Sequence, residues 1–102
     1  MSDEKTETYK YKTRSTATFK KHLKKVEKRR KGDSQKVLDV VELLAKGKTL
    51  EERYRDHELK GDRKGERECH VLPDLLLVYR IYNDVLILEL VDTGTHSELF
   101  GL

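Results

Sequence analysis

Apolar residues recur at two different spacings along the chain, which predicts helices in its first half and strands in its second half. Phe19, Leu23 and Val26 follow one another at intervals of four and three residues, so they form one apolar stripe on a helix. Ser15 or Thr16 is expected to cap the start of this helix.

A second helix follows after a short connection. Gly32 is expected to end the first helix, Asp33 or Ser34 to cap the next one, and Gly47 to end it. The apolar positions of this second helix are Val37, Leu38, Val40, Val41, Leu43 and Leu44. Two helices joined by so short a connection predict an antiparallel hairpin.

Strand patterns lie on both sides of the helical hairpin. Residues 8–13 alternate tyrosine with polar side chains, which predicts an edge strand. Residues 48–64 read as a charged loop. Three further strands are predicted over residues 66–72, 75–82 and 85–91, with a bend at Pro73-Asp74 and a tight hairpin at Asn83-Asp84.

Two of these strands contain unbroken apolar runs, residues 75–78 and 85–88. Strands that are apolar on both faces lie in the middle of a sheet, and the helix pair must cover one of those faces. The predicted fold class is therefore α+β, in the order β-α-α-β-β-β, with an antiparallel sheet and the helical hairpin on one face. We expect a single domain over residues 1–102, with residues 1–7 flexible.

Composition narrows the class of protein. The chain has 102 residues, of which 40% are charged, and 22 Lys and Arg nearly balance 19 Asp and Glu. No apolar run approaches the ~20 residues of a membrane span, so no membrane association is expected. The first residues lack an apolar signal segment, and the single cysteine cannot form an internal disulfide. A cytoplasmic protein is expected.

Positive charge is concentrated in the first predicted helix. Residues 20–31 carry a single acid, Glu27, and eight basic side chains: Lys20, Lys21, Lys24, Lys25, Lys28, Arg29, Arg30 and Lys31. A concentrated basic stretch indicates a phosphate-bearing partner such as a nucleic acid, although a solvated helix face gives the same pattern.

Three histidines flank the predicted strands: His57, His70 and His96, with Asp74 at the bend after His70. Histidine moves protons near neutral pH, and internal cleavage of RNA needs a base, an acid and positive charge near the phosphate, without a metal. Ordinary surface histidines are the alternative, and no paired spacing supports a metal site. Cys69 is expected to face the helices as a buried structural thiol, because neighbouring side chains in a strand point to opposite faces.

Three motifs in a fixed order carry a resemblance to a known family. Residues 56–61 read D-H-E-L-K-G, residues 69–74 read C-H-V-L-P-D, and residues 94–100 read G-T-H-S-E-L-F. Together with the helical start F-K-K-H-L-K, they resemble the YafQ-type branch of the RelE-family toxins over roughly residues 8–102. Any one motif alone is weak, but the ordered set is specific.

The resemblance implies a toxin of a type II toxin–antitoxin pair that enters the ribosomal A site and cuts mRNA there. It implies no metal or cofactor, a cognate antitoxin protein, and a small microbial-ribonuclease-like sheet with two N-terminal helices. The residues that match the family's site are His57, His70, Asp74, His96 and Phe100. We assign His57 as general base and His96 as general acid, roles that are interchangeable, with His70 and Asp74 positioning the phosphate and Phe100 stacking on a base.

Under this interpretation the eight basic residues of the first helix would contact ribosomal RNA or an acidic stretch of the antitoxin. Arg63, Lys64 and Arg67 are candidate phosphate stabilisers, although alternation places Arg67 on the same face as Cys69. Some relatives have a tryptophan where this chain has Leu75, so base preference does not transfer. The competing functions are a non-catalytic toxin related to the ParE group, which acts by binding a protein, and a plain RNA-binding domain.

Overall fold

The computed structural model describes residues 8–101 and places three α-helices and five strands within that range. In chain order they are β1 (Lys12–Ser15), α1 (Ala17–Arg29), α2 (Asp33–Ala45), β2 (His57–Glu58), β3 (Arg67–Leu72), β4 (Leu75–Tyr82), β5 (Ile87–Gly94) and α3 (His96–Phe100). Short 3₁₀ turns at Glu52–Tyr54 and Gly61–Arg63 flank β2. The segment predicted to be flexible, residues 1–7, lies outside the described residues. None of the helices in the described range has the length and apolar character needed to cross a membrane.

The five strands form one sheet in the order β1-β5-β4-β3-β2, which confirms the α+β class. The pairs β2–β3, β3–β4 and β4–β5 are antiparallel, whereas β1 pairs with β5 in parallel. The prediction of an antiparallel sheet is therefore wrong at β1. Parallel neighbours need a long connection between them, and the helices and three strands that separate β1 from β5 provide one.

The segment before β1 caps a helix instead of extending the strand. The backbone N–H groups of Lys10 and Tyr11 both donate to the carbonyl of Ala45 at the end of α2, each at 3.0 Å from N to O. These bonds satisfy a helix-terminal carbonyl that would otherwise lack a partner. The strand predicted over residues 8–13 therefore begins later, at Lys12, although its edge position is confirmed.

The hairpin between β4 and β5 is wider than predicted. Residues 83–86 form the turn, so Val85 and Leu86 are exposed and do not belong to a covered strand. The hydroxyl of Tyr11 donates to Oδ1 of Asn83 at 3.0 Å, and the backbone N–H of Lys12 donates to the Leu86 carbonyl. These bonds hold the turn against β1. The first half of the apolar run, Val85 and Leu86, therefore belongs to the turn and not to the predicted strand.

Helix α1 forms as predicted, and Thr16 is its N-cap, with its hydroxyl accepting from Phe19 N at 2.9 Å. Helix α2 starts differently from the prediction. Its N-cap is Gly32, with a left-handed φ of 95°, and no side chain of Asp33 or Ser34 caps it. The carboxylate of Glu27 on α1 accepts from the N–H groups of Gly32 and Ser34 instead, so the first helix caps the second.

The central strand β4 is buried on both faces, as its sequence predicts. Leu75, Leu77 and Tyr79 belong to the main core between the sheet and the helices. Leu76 and Val78 belong to a second, smaller cluster on the opposite face, where Leu99 of α3 covers them. Helix α3 was not predicted from the sequence. It lies on the sheet face that the helical hairpin leaves open.

Replacing Leu77, which is completely buried, by alanine should lower the free energy of unfolding by about 2–5 kcal/mol, because it removes apolar contacts and leaves a cavity. Urea unfolding followed by circular dichroism measures the change. Val85→Ala in the exposed turn is the matched control and should change stability by less than about 0.5 kcal/mol. Equal losses in the two variants would contradict the assignment of the core.

Candidate active site

Strand β2 brings His57 to the sheet. The strand consists of only two residues, and its antiparallel pairing with β3 places His57 opposite Glu68. Nε2 of His57 lies 3.2 Å from Oε1 of Glu68, and Nδ1 lies 2.7 Å from the carbonyl oxygen of Arg55. Since a carbonyl only accepts, Nδ1 donates to Arg55, and only Nε2 is left for proton exchange. The prediction of a plain loop over residues 48–64 missed this strand.

His70 and Glu68 alternate with Cys69 along β3, so they share the sheet face that the helical hairpin leaves open. Glu68 is buried, and it was not predicted as part of a site. The signal that could have found it is its spacing of two residues from His70. The β3–β4 register shifts between His70 and Leu72, which indicates a β-bulge beside the turn that carries Asp74.

Helix α3 supplies the remaining members of the cluster. The His96 ring lies 5.5 Å from the His70 ring and 6.3 Å from the Phe100 ring, between centroids. Nδ1 of His96 lies 4.0 Å from Oδ1 of Asp74. His96 and Phe100 occupy the first and last positions of the helix, four residues apart, and therefore lie on one helix face. The structure brings His70, His96, Asp74 and Phe100 together, whereas His57 contacts Glu68, which lies in the same group as His70 and His96.

One group of side chains within this cluster has the geometry to hold a metal ion. The ligand atoms of Glu68, His70 and His96 all lie within 4.8 Å of one another. Two imidazoles and a carboxylate are donors that Zn²⁺ and similar divalent ions accept. Cys69 lies on the opposite face of the strand and is fully buried in the main core, as alternation predicts.

Of the predicted phosphate stabilisers, Arg63 is the one whose side chain contacts the cluster. The guanidinium carbon of Arg63 lies 5.2 Å from the centre of the Phe100 ring, and Arg63 Nε donates to Glu66 Oε1 at 2.8 Å. Lys64 is exposed at the end of the same 3₁₀ turn. Both lie on the chain segment between His57 and His70.

Arg67 lies elsewhere. Its NH2 nitrogen is 3.2 Å from Oδ2 of Asp56, and the Tyr79 hydroxyl donates to Oδ1 of the same carboxylate. Tyr79 belongs to the main core, so Arg67 lies on the helix-facing side of β3, as alternation predicts, and not beside His70. The structure therefore does not place Arg67 with the histidine cluster.

All eight basic residues of the first-helix segment are exposed. The end of that segment borders the cluster, because the NH2 group of Arg29 donates to Oε2 of Glu98 on α3. His22, to which no chemistry was assigned, pairs with Asp92 through Nδ1 at 2.6 Å from Oδ1. Leu75, which stands where some relatives have tryptophan, is buried in the main core, so its side chain is not free to contact a base.

A cleft of about 590 Å³ opens beside His70. The 3₁₀ turn at Glu52–Tyr54 and the bend after β3 form its walls. The lining residues include Arg53, Tyr54, Arg55, Leu72 and Pro73. Of the proposed site residues, His70 lines this cleft, whereas His57, Asp74, His96 and Phe100 do not.

Comparison with known proteins agrees with this fold. A family model described as the bacterial toxin of type II toxin–antitoxin systems, YafQ, matches residues 11–101. The mRNA interferase toxin YafQ of Escherichia coli strain K12 is 39% identical over 84 residues, which cover 81% of this chain and 88% of that protein.

Solved structures show the same similarity. The crystal structure of the E. coli DinJ–YafQ toxin–antitoxin complex superposes with a TM-score of 0.80 at 33% identity, over 90% of this chain and 99% of that one. A metal-bound toxin from Helicobacter pylori gives a TM-score of 0.80 at 43% identity, over 88% of this chain and 99% of that one. The fold and the histidine cluster define a toxin of the type II toxin–antitoxin class. Within that class, the chain belongs to the YafQ family.

Burial raises the pKa of the Cys69 thiol to about 12, so the thiol is protonated and unreactive at neutral pH. We expect Ellman's reagent to label the native protein at least about a hundredfold more slowly than the unfolded chain. Absorbance at the thionitrobenzoate band measures the rate, and addition of guanidinium chloride should restore rapid labelling. Fast labelling of the native protein would show that Cys69 is accessible.

Proposed function

We propose that this chain is an mRNA interferase toxin that enters the ribosomal A site and cuts mRNA by attack of the ribose 2′-OH on the adjacent phosphorus. The proposal needs no cofactor and no metal ion. The observation that carries it is the convergence of His70, His96 and Asp74, with Phe100 beside them, from separate parts of the chain. Membership of the YafQ family and the name of the E. coli relative support the same activity.

The proposed reaction is a transesterification. A base removes the 2′-OH proton, the 2′-oxygen forms a bond to phosphorus, and the bond from phosphorus to the 5′-oxygen breaks. An acid protonates that leaving oxygen, and the products are a 2′,3′-cyclic phosphate and a free 5′-OH. We assign His57 as the base and His96 as the acid, and the two roles are interchangeable.

The surroundings of His57 fit a proton-transfer role through a single nitrogen. Nδ1 is fixed by the Arg55 carbonyl, and the buried carboxylate of Glu68 faces Nε2. That carboxylate lies within hydrogen-bond distance of Nε2 and orients the imidazole ring. Glu68 therefore acts as a positioning residue for His57, while the equivalent partner of His96 is Asp74.

Phe100 and Arg63 suit the recognition of an unstacked RNA base. Aromatic rings and guanidinium planes are the groups on which splayed RNA bases stack. Arg63 lies over the Phe100 ring, so the pair offers an aromatic surface with positive charge next to it. In this proposal, Phe100 orients the base beside the scissile phosphate, and Arg63 stabilises charge that develops on that phosphate.

The partners are proposed on the same basis. The E. coli relative is solved in complex with DinJ, so we propose that a cognate antitoxin protein binds and blocks this chain. The exposed basic face of α1 would contact ribosomal RNA through phosphates, and an acidic stretch of the antitoxin could occupy the same face.

Substitution of His57, His70 or His96 by alanine should each lower the rate of mRNA cleavage by about 10²–10⁴-fold, because each removes a proton-transfer or positioning group. Primer extension on translated mRNA, with purified ribosomes and the full chain, measures cleavage. Toxicity without any cut in the wild type would favour a ParE-like mode of action, and RNA binding without a cut would favour a plain RNA-binding domain.

Two controls accompany these variants. His22→Gln removes an imidazole outside the cluster and should leave the rate within about twofold of wild type. Toxin that is treated with EDTA and freed of it before ribosomes are added should cleave at the wild-type rate. Added Zn²⁺ or Cu²⁺ should inhibit cleavage, because a metal held by Glu68, His70 and His96 occupies the imidazole of the proposed acid. Loss of cleavage in the EDTA-treated toxin would contradict the metal-free mechanism.

The role of the basic helix predicts a steep salt dependence of ribosome binding. Lys24→Gln and Lys28→Gln should each reduce the slope of log affinity against log salt by about 1, because each removes one phosphate contact. Ribosome pelleting at several KCl concentrations measures the slope. Lys12→Gln, an exposed lysine on the edge strand, is the matched control and should leave the slope unchanged. A flat salt dependence in the wild type would exclude this role.

A further inference from the structure

We propose that Arg29 and Glu98 are positioning residues that hold helix α3, and with it His96 and Phe100, in place for cleavage. This inference rests on the proposed function and deepens it. Arg29 was predicted as one of eight phosphate contacts on the basic helix. Its partner in the structure is not solvent but the carboxylate of Glu98.

Helix α3 needs such a tie because it is too short to be stable by itself. It has five residues, and isolated helices of this length are not stable in water. Leu99 is its one buried residue, whereas His96 and Phe100 are partly exposed and share one helix face. Any tilt or fraying of the helix would move both rings relative to His70, so their geometry depends on what fixes the helix start.

Glu98 connects the start of α3 to the rest of the molecule. Its Oε1 accepts from the Thr95 backbone N–H at 2.9 Å, and the Thr95 hydroxyl accepts from the Glu98 backbone N–H at 3.2 Å. These two bonds form a capping box directly beside His96. The second carboxylate oxygen accepts from Arg29. The bond from Thr95 and the charge of Arg29 both lower the pKa of Glu98, so the carboxylate stays ionised at neutral pH.

The backbone before the cap is shaped around the same carboxylate. Gly94 has a φ of 151°, and a Cβ atom at this position would lie 2.7 Å from Oε1 of Glu98. A side chain here would force the flexible Glu98 carboxylate to shift, and residues other than glycine rarely adopt this φ. Gly94 therefore leaves room for the carboxylate to fold back over the helix start.

The backbone of Arg29 is held in place because it lies in the last turn of α1, one turn beyond the buried Val26. An exposed Arg–Glu pair contributes little to overall stability. Its effect is expected on the geometry of His96 and Phe100, not on folding. The arrangement links the helix proposed to contact ribosomal RNA with the helix that carries the proposed acid.

The alternative role of Arg29, as a phosphate contact, predicts the opposite result for one variant. If Arg29 serves to bind phosphate, Glu98→Ala releases its guanidinium and ribosome affinity rises. If the pair positions α3, Glu98→Ala slows cleavage at saturating toxin and leaves affinity unchanged. Rate at saturation and affinity therefore separate the two roles.

The test is a double-mutant cycle on the full chain with Arg29→Ala, Glu98→Ala and the double variant, read by primer extension under single-turnover conditions with toxin in excess over ribosomes. Glu98→Ala, which removes both the cap and the ion pair, should lower the saturated rate by about tenfold, and Arg29→Ala, which removes the ion pair alone, by up to about fivefold. The double variant should be no slower than Glu98→Ala, because Glu98→Ala already removes the bond to Arg29. Arg29→Lys should recover most of the rate.

The matched control is another Arg–Glu pair, Arg14 and Glu89 on β1 and β5, whose NH2 and Oε2 atoms are 3.5 Å apart. Arg14→Ala and Glu89→Ala should leave the saturated rate within about twofold of wild type. A wild-type rate in Glu98→Ala, or multiplicative effects in the double variant, would overturn the inference.

A second readout does not depend on activity. The ring proton signals of His96 and Phe100 in NMR spectra should shift in Glu98→Ala and stay in place in Glu89→Ala. Unchanged ring signals in Glu98→Ala would overturn the positioning role even if the wild type proved inactive. Failure of the wild type to cut mRNA, with shifted signals in Glu98→Ala, would reject the proposed function and leave the positioning of α3 intact.

Discussion

The burial of both faces of β4 is the constraint on which the rest of the structure depends. One face is covered by the helical hairpin, and the other presents Leu76 and Val78, which need a cover of their own. Leu99 of α3 provides it, and this contact brings the chain end back across the sheet. His96 and Phe100 flank Leu99 on that short helix, so the need to bury β4 also places them beside His70. The packing that buries β4 therefore also sets the positions of His96 and Phe100 in the site.

The parts that the sequence predicted are those set by local periodicity. The stripe through Phe19 and Val26 predicted α1, and the apolar run at the start of β4 predicted a strand covered on both sides. The convergence of His57, His70 and His96 could not come from periodicity, because it depends on long-range pairing. Ordered motifs indicated it, and the position of Cys69 on the other strand face followed from simple alternation.

The features that were missed depend on contacts between distant residues. The two-residue strand β2 exists only because β3 offers it a hydrogen-bonded edge, and no pattern that short is readable. The turn at residues 83–86 is fixed by Tyr11, and the start of α2 is capped by Glu27 from the preceding helix. In the sequence, Glu68 looks like an ordinary strand residue. Only its contact with His57 in the structure indicates a role in the site. In each case the partner is remote or belongs to another element.

The charges within the cluster bear on why such a site would work on a large RNA assembly. Glu68 and Asp74 bring two carboxylates among three histidines, so the cluster by itself offers a phosphate little net attraction. Attraction must then come from cations around it, from Arg63 at one side and the exposed face of α1 at the other. A short free RNA spans few of these cations, whereas a surface rich in phosphates engages many at once and holds the mRNA against the cluster. In the proposed function, this separation of phosphate-binding charge from proton-transfer groups would favour an RNA that is presented by a larger partner.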